Sequence, residues 1–213
     1  MPEPTLDKVT AFVTRRGPSS LELLLFRHPN AGIQIPGGTV EEGEAPEKAA
    51  LREVREETGL HPVQMRRYIG VQETQLPAPR YIVCHQTLVY ARPQVDSFDW
   101  ATFRRGIEVR RLRQQNDFIQ VTYREGNRFP DPDYITYQIT GWVPQEALCQ
   151  TIRRHFYHLT TNAQTTETWT QRADCHVFRP FWAPLAELPA IVAPQNGWLP
   201  YVQDQLGYRF EID

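Results

Sequence analysis

The segment Gly38–Leu60 constrains the fold more than any other part of the chain, because it combines a glycine turn, one helix and a helix stop. At Gly37-Gly38 the backbone is predicted to turn tightly or to approach a neighbour closely. Pro46 suits the first turn of a helix, and Gly59 suits the left-handed residue that ends one. The sequence therefore predicts a helix from about Ala45 to Thr58.

This helix is predicted to have one apolar face and one acidic face. At about 100° per residue, the residues on the apolar face are Ala50, Leu51, Val54 and Thr58. Glu53, Glu56 and Glu57 share the acidic face, where their mutual repulsion is costly unless a cation lies among them. Carboxylate oxygens suit Mg²⁺ or Mn²⁺, and Arg52 lies one turn before Glu56, where it can hold that carboxylate. The alternative is an ordinary solvent-exposed acidic helix, but such helices usually alternate the sign of their charges.

The same segment matches the pattern G-x5-E-x7-R-E-U-x-E-E-x-G-U, in which U is a bulky aliphatic residue. The matched residues are Gly38, Glu44, Arg52, Glu53, Val54, Glu56, Glu57, Gly59 and Leu60. This pattern resembles the signature of the Nudix hydrolases, which cleave nucleoside diphosphates linked to another moiety. The resemblance implies that Glu53, Glu56, Glu57 and Gly38 hold Mg²⁺ or Mn²⁺, with Glu53 as a metal ligand or general base. It also implies that Gly37-Gly38 helps to hold the metal or a phosphate.

Three further residues are candidates for the site. Other Nudix members take their general base from a downstream loop, and Glu167 is the candidate here, against the alternative of a solvated loop residue. Arg27, at a strand end that leads toward the glycine turn, is a candidate phosphate ligand, although an ordinary strand-end residue is the alternative. Trp169 is a candidate for stacking on a nucleobase, although packing against Phe156 or Trp182 is the alternative.

Composition excludes several other classes of protein. The chain has 213 residues, 40% of them hydrophobic, and a net charge of −2, which indicates a soluble globular protein without a broad nucleic-acid-binding surface. Cys84, Cys149 and Cys175 lie far apart and form no zinc motif or disulfide framework. No signal peptide or membrane-spanning run is evident, so a cytoplasmic location without membrane association is expected. A homodimer is left open.

The order of the predicted elements is typical of an α/β protein. Three strand-like runs precede the helix, and Gln64–Glu73 follows it as a fourth. A Nudix fold, an α/β/α sandwich around a mixed sheet, shows this order. The remaining strands of this fold are predicted at Arg154–Thr160 and Val177–Ala183, and its second helix is predicted from Asn196 to about Leu206. The Nudix core is thus expected to be split, as 1–82 and 150–213.

The segment between them, 84–149, reads as a small all-β insertion without helical periodicity. It resembles a bacterial SH3-like domain, through LVYARP at 88–93, RGIEV at 105–109, FIQVTY at 118–123 and GWVPQEAL at 141–148. A family-specific β-insertion of no known class is the alternative.

The function that the resemblance implies is metal-dependent hydrolysis of a pyrophosphate bond by attack of water on phosphorus. The alternative is a non-catalytic ligand sensor or scaffold whose β-insertion binds a protein partner. Some Nudix subfamilies are marked by a Pro or a Tyr some sixteen to eighteen residues beyond this pattern, and Pro77 near that place implies, by the resemblance, ADP-ribose as the substrate. A nucleotide sugar, a dinucleoside polyphosphate and an oxidised nucleotide also remain open.

Overall fold

The computed structural model describes residues 4–173 and 175–211, and the chain divides into two compact units. The first unit consists of the residues up to Asp7 together with Glu73–Arg153. The second unit consists of Lys8–Gln72 and Arg154–Asp213. Every residue of the predicted metal site lies in the second unit.

The described residues form fourteen strands and two α-helices. In chain order these are β1 (Thr5–Arg16), β2 (Leu21–His28), β3 (Gly32–Gln34), α1 (Pro46–Thr58), β4 (Gln64–Gln75), β5 (Arg80–Val83), β6 (Thr87–Tyr90), β7 (Asp99–Phe103), β8 (Glu108–Gln115), β9 (Phe118–Gly126), β10 (Ile135–Pro144), β11 (Leu148–Cys149), β12 (Thr151–Thr160), β13 (Gln171–Ala173), β14 (His176–Pro184) and α2 (Trp198–Asp204). The predicted order of three strands, a helix and a strand is confirmed. Neither α-helix in this part of the chain is long and apolar enough to cross a membrane.

The second unit is built around one seven-stranded sheet with a helix on each face. The strand order is β13–β14–β2–β1–β12–β4, and β3 pairs with β2. Along β1, Val9, Ala11 and Val13 belong to the core that contains the buried side of α1, whereas Phe12 belongs to the core that contains α2. Because successive side chains of β1 lie on opposite faces of the sheet, its apolar residues pack in two cores, one on the side of each helix. The unit therefore has three layers, which are helix, sheet and helix.

Helix α1 begins and ends where the sequence predicts. Pro46 occupies its first turn, and Gly59 adopts the left-handed conformation at φ 66°, with its N–H donating to the Arg55 carbonyl at 2.8 Å. Ala50, Val54 and Thr58 are buried, as expected for the apolar face. The acidic face therefore points away from the core.

The second predicted helix is shorter than expected, and its predicted cap is wrong. Asn196 lies in a 3₁₀ turn, Gln195–Gly197, and α2 begins at Trp198 after Gly197. The capping residue of α2 is Gly197, and this helix has no side-chain capping hydrogen bond. The 3₁₀ turn occupies the position at which a cap was expected.

The first unit is an antiparallel sheet in the order β11–β5–β8–β9–β10–β6–β7. Its core is made of apolar residues from most of these strands: Val83, Val89, Phe103, Val109, Ile119, Val121, Val143 and Leu148. Apart from the 3₁₀ turn Gln145–Ala147, the described part of 84–149 contains no helix, so the all-β prediction agrees with the structure. The SH3-like resemblance stays a prediction.

Candidate metal and phosphate site

Arg52 is the centre of the acidic face of α1. Its guanidinium donates to both carboxylate oxygens of Glu44, at 3.0 and 2.9 Å. One further nitrogen, Nη1, donates to Glu53 Oε1 at 2.9 Å and to Glu56 Oε2 at 3.0 Å. Nη2 also donates to the Thr39 carbonyl at 3.0 Å. A single arginine therefore fixes three carboxylates and the loop before the helix.

These contacts favour the charged forms of the Arg52–Glu44 pair. The hydrogen bond to Glu44 raises the pKa of Arg52 well above its ordinary value, and the nearby Glu53 charge adds to this effect against burial. The hydrogen bond from Arg52 lowers the pKa of the Glu44 carboxyl, while partial burial opposes the shift. The ion pair is thus fully charged near neutral pH.

The glycine turn lies against both β1 and α1. The Gly37 N–H donates to Glu57 Oε2 at 2.9 Å, and the Gly38 carbonyl accepts from Val9 N–H at 2.9 Å. A Cβ atom on Gly38 would collide with the carboxylate of Glu53, and one on Gly37 would collide with the Val9 carbonyl. Glycine is needed at position 37 because the Val9 backbone lies too close for any side chain, and at position 38 because a side chain would displace the Glu53 carboxylate.

The donor chemistry of this site fits a hard divalent cation. Glu53, Glu56 and Glu57 supply carboxylate oxygens on successive turns of one helix, and Gly38 leaves no side chain over the Glu53 carboxylate. The Glu53 side chain, beside the glycine turn, is 12% exposed, whereas the Glu56 side chain is 49% exposed. The carboxylates therefore range from a mostly buried position to the solvent-exposed surface. Within residues 4–173 and 175–211, no three such groups converge as a preformed metal cluster. Instead, an Arg52 nitrogen lies between Glu53 and Glu56.

A cavity of about 540 Å³ adjoins the exposed end of this face. Its lining residues are Glu41, Arg55, Glu56, Gln171, Arg172 and Ala173. The Gln171 side chain donates to the Glu56 carbonyl at 3.0 Å, which ties β13 to the helix. Sequence reasoning missed this cavity because β13 is only three residues long and its pairing with β14 has no local signature.

The three candidates outside the helix lie in different surroundings. Trp169 is partly buried against the core on the α1 side, and its indole N–H donates to the Thr58 carbonyl at 2.6 Å. Trp182 belongs to that core, whereas Phe156 belongs to the other one. This placement matches packing near Trp182.

Arg27 and Glu167 are both exposed. The Arg27 guanidinium lies 5.0 Å from the centre of the Phe181 ring. Glu167 lies in the loop between β12 and β13, two residues before Trp169. Through the indole contact of Trp169, this loop is fixed at the end of α1 that carries Glu56 and Glu57.

Comparisons with known proteins agree with the helix and turn described above. Residues 5–102 match the model of the NUDIX domain. The chain is 51% identical over 47 residues to "Putative 8-oxo-dGTP diphosphatase YtkD" of Bacillus subtilis, a match that covers 22% of this chain and 29% of that protein. It is 44% identical over 61 residues to an octanoyltransferase of Myxococcus xanthus, covering 28% of this chain and 17% of that protein.

Among solved structures, the NUDIX domain of Shewanella oneidensis NrtR complexed with ADP ribose is similar to this chain. It is 16% identical, with 95% of this chain and 88% of that chain covered, at a TM-score of 0.42. At that TM-score the likeness supports neither a fold nor a ligand. The matches to the two relatives span less than a third of their lengths. The match to the family model covers residues 5–102, which include the complete pattern in α1 and the glycine turn that packs on it.

Proposed function

We propose that this protein is a Nudix-type pyrophosphohydrolase that acts on a nucleoside diphosphate linked to another moiety. The observation that carries the proposal is the Arg52 hub, because one guanidinium holds the carboxylates of Glu44, Glu53 and Glu56 beside the glycine turn. Hydrolysis of a pyrophosphate requires stabilisation of negative charge and a group that accepts a proton from water. A carboxylate of the acidic face would accept the proton, and the arginines of the adjoining cavity together with a bound cation would stabilise the negative charge.

Glu53, Glu56 and Glu57 would hold the metal ion in this proposal. A Mg²⁺ or Mn²⁺ ion bound there supplies positive charge for the phosphates and lowers the pKa of an attached water. Arg52 Nη1 lies between Glu53 and Glu56 and would have to give way to the cation, but until then it holds both carboxylates on this face. The Gly37 N–H does the same for Glu57.

The cavity beside Glu56 would take the phosphates. Arg55 and Arg172 line it, and among the described residues neither guanidinium makes an ion pair. Paired arginines suit phosphate oxygens, because the planar guanidinium donates two parallel hydrogen bonds. Glu41 and Glu56 line the same cavity, so a cation is also needed there to hold the substrate.

Glu53 is the stronger candidate for the general base. Its carboxylate lies against Gly38 and is 12% exposed, where a proton can be accepted from a water that is held in place. Glu167 is exposed in a loop, and as the base it would have to accept the proton from that exposed position. Replacing Glu167 with glutamine separates the two assignments, since turnover should fall by orders of magnitude only if Glu167 is the base.

The test is a screen of purified protein with Mg²⁺ or Mn²⁺ against four substrate classes. These are ADP-ribose, a nucleotide sugar, a dinucleoside polyphosphate and an oxidised nucleotide such as 8-oxo-dGTP, which is included because a relative is named as its diphosphatase. Ion-exchange chromatography would separate the nucleoside monophosphate product. We expect metal-dependent release from at least one class. Binding without release from any class would instead identify a ligand sensor.

A further inference from the structure

Two of the three cysteines lie side by side in the first unit. Cys149 pairs with Ile82 and Leu148 with Val83 in the β5–β11 ladder, and the Cys84 N–H donates to the Ala147 carbonyl at 2.8 Å. Cys84 and Cys149 therefore lie two positions apart across this pair of strands, on the same face. Both are buried in one apolar cluster, at 1% and 3% exposure.

Each thiol donates a hydrogen bond to a backbone carbonyl, Cys84 to Glu146 and Cys149 to Thr151, both at 3.7 Å. The neighbouring Cys149 thiol lowers the pKa of Cys84 to about 7, with help from the charges of His85 and Arg105 and against burial. The neighbouring Cys84 raises the pKa of Cys149, so Cys84 is the member of the pair that loses its proton first. The Arg105 guanidinium also donates to the Cys84 carbonyl. A thiolate beside a second thiol is the arrangement from which a disulfide forms.

One of the two cysteines adjoins a cavity. Cys149 lines a cavity of about 710 Å³ within the first unit, together with Tyr81, Arg111 and Gln145. A peroxide has two oxygen atoms and is far smaller than this space. The remaining cysteine, Cys175, is exposed in the second unit, where it provides an internal comparison.

We propose that Cys84 and Cys149 form an oxidation site that a hydroperoxide converts into a disulfide. The Cys84 thiolate attacks one peroxide oxygen, the O–O bond breaks, and Cys84 sulfenic acid and hydroxide (or an alkoxide, from an organic peroxide) are formed. The Cys149 sulfur then attacks the Cys84 sulfur, the S–O bond breaks, and water leaves with the proton of Cys149. Two thiols lose two electrons, and one peroxide gains them. This site is independent of the proposed hydrolysis.

The experiment treats the folded full chain with one to ten equivalents of hydrogen peroxide. The protein is then unfolded in N-ethylmaleimide, digested with trypsin and analysed by mass spectrometry. We expect a linked pair of peptides that contain Cys84 and Cys149, a loss of two hydrogens from the intact mass, and full reversal by dithiothreitol. Because this measurement uses the wild-type chain, it does not depend on the folding of any variant.

Two variants sharpen the result. In Cys149→Ser, dimedone should trap sulfenic acid on Cys84, since the resolving thiol is missing. In Cys175→Ser, the matched control, the linked peptides should form at the wild-type rate. The proposal is overturned if Cys84 and Cys149 are both fully alkylated after peroxide treatment, or if the disulfide that forms includes Cys175.

Discussion

At the scale of single residues, the turn at Gly37-Gly38 most narrowly restricts which amino acid the chain can carry. A Cβ on Gly38 would meet only the end of the Glu53 side chain, whereas a Cβ on Gly37 would meet the backbone of Val9. The two glycines therefore serve different purposes. Gly38 leaves room for a carboxylate, and Gly37 allows the turn to pack on β1.

Replacing Gly38 with alanine should therefore reduce activity more than stability. The Glu53 carboxylate must rotate away from the added methyl group, and we expect hydrolysis to fall at least tenfold with a small change in melting temperature. Gly37→Ala should instead lower the melting temperature by several degrees, since backbone must move. Gly197→Ala is the matched control, because a Cβ there meets nothing within 4 Å. Steady-state kinetics and thermal unfolding distinguish the three, and unchanged kinetics for Gly38→Ala would count against the site.

Replacing Arg172 with alanine should weaken substrate binding without blocking the chemistry. The loss of one phosphate contact predicts a KM about tenfold higher, with kcat retained within a few-fold. Arg209, an exposed arginine that is not among the lining residues of the cavity, provides the control as Arg209→Ala. Equal KM values for the wild type and Arg172→Ala would remove this cavity from the phosphate site.

The sequence predicted part of the site at this scale. Helical spacing was sufficient to bring Glu53, Glu56 and Glu57 to one face, since that depends only on local geometry. Spacing did not predict that Glu57 accepts from the Gly37 N–H, or that Gln171 reaches the Glu56 carbonyl. Those contacts join residues 20 and 115 positions apart, and tertiary packing determines them.

At the scale of elements, a buried histidine joins β1, β12 and the C-terminal segment. His158 is 1% exposed, and its ring nitrogens lie 2.7 Å from Thr14 Oγ1 and 2.6 Å from the Tyr208 hydroxyl. Desolvation lowers the pKa of His158 to about 4, and the charge of Arg66 adds to this shift. The folded chain therefore keeps this imidazole neutral, and the unfolded chain binds a proton more readily.

This difference predicts a loss of stability in acid. The contribution of His158 is fully present above its ordinary pKa of 6.5 and is lost as pH falls toward about 4. Between pH 7.5 and pH 4.5, the free energy of unfolding of the wild type should fall relative to His158→Gln by about 2–3 kcal/mol. Urea unfolding at the two pH values measures it. The exposed His61 provides the control, because the difference in unfolding free energy between the wild type and His61→Gln should not show this change between the two pH values. An equal loss of stability in the wild type and in His158→Gln would contradict the account.

Sequence patterns predicted the long elements better than the short ones. Helix α1 carries both an apolar period and two end signals, so its limits were predicted within one residue. Strands β5 and β7 were not predicted, because four or five residues leave too few positions to show alternation. The prediction that Asn196 caps α2 was wrong, because Asn196 lies within a 3₁₀ turn and the helix begins only after that turn.

At the scale of the whole molecule, the two units have separate apolar cores. Phe103 belongs to the core of the first unit, and Phe156 belongs to a core of the second. Both side chains are essentially fully buried. Alanine at either position leaves a cavity that costs about 3–5 kcal/mol. The order of strands in each sheet could not be predicted, because pairings such as β14 with β2 join segments with no local relation.

Hydrogen exchange should show that each substitution destabilises mainly the unit that contains it. We expect Phe103→Ala to speed amide exchange in β8, β9 and β10, and to leave β1 and β2 close to wild type. Phe156→Ala, matched in chemistry and burial, should do the reverse. Equal acceleration in both sheets would show that the chain unfolds as one cooperative unit instead.

The central claim is that Glu53 takes part in hydrolysis on the acidic face of α1. The most direct measurement compares kcat for the wild type and Glu53→Gln at saturating Mg²⁺ or Mn²⁺, on whichever substrate the screen identifies. Glutamine keeps the shape of the side chain but loses the charge and the basic oxygen, so we predict a fall of roughly 10²–10⁴-fold in kcat with unchanged circular dichroism. A Glu53→Gln variant that turns over at the wild-type rate would contradict the account.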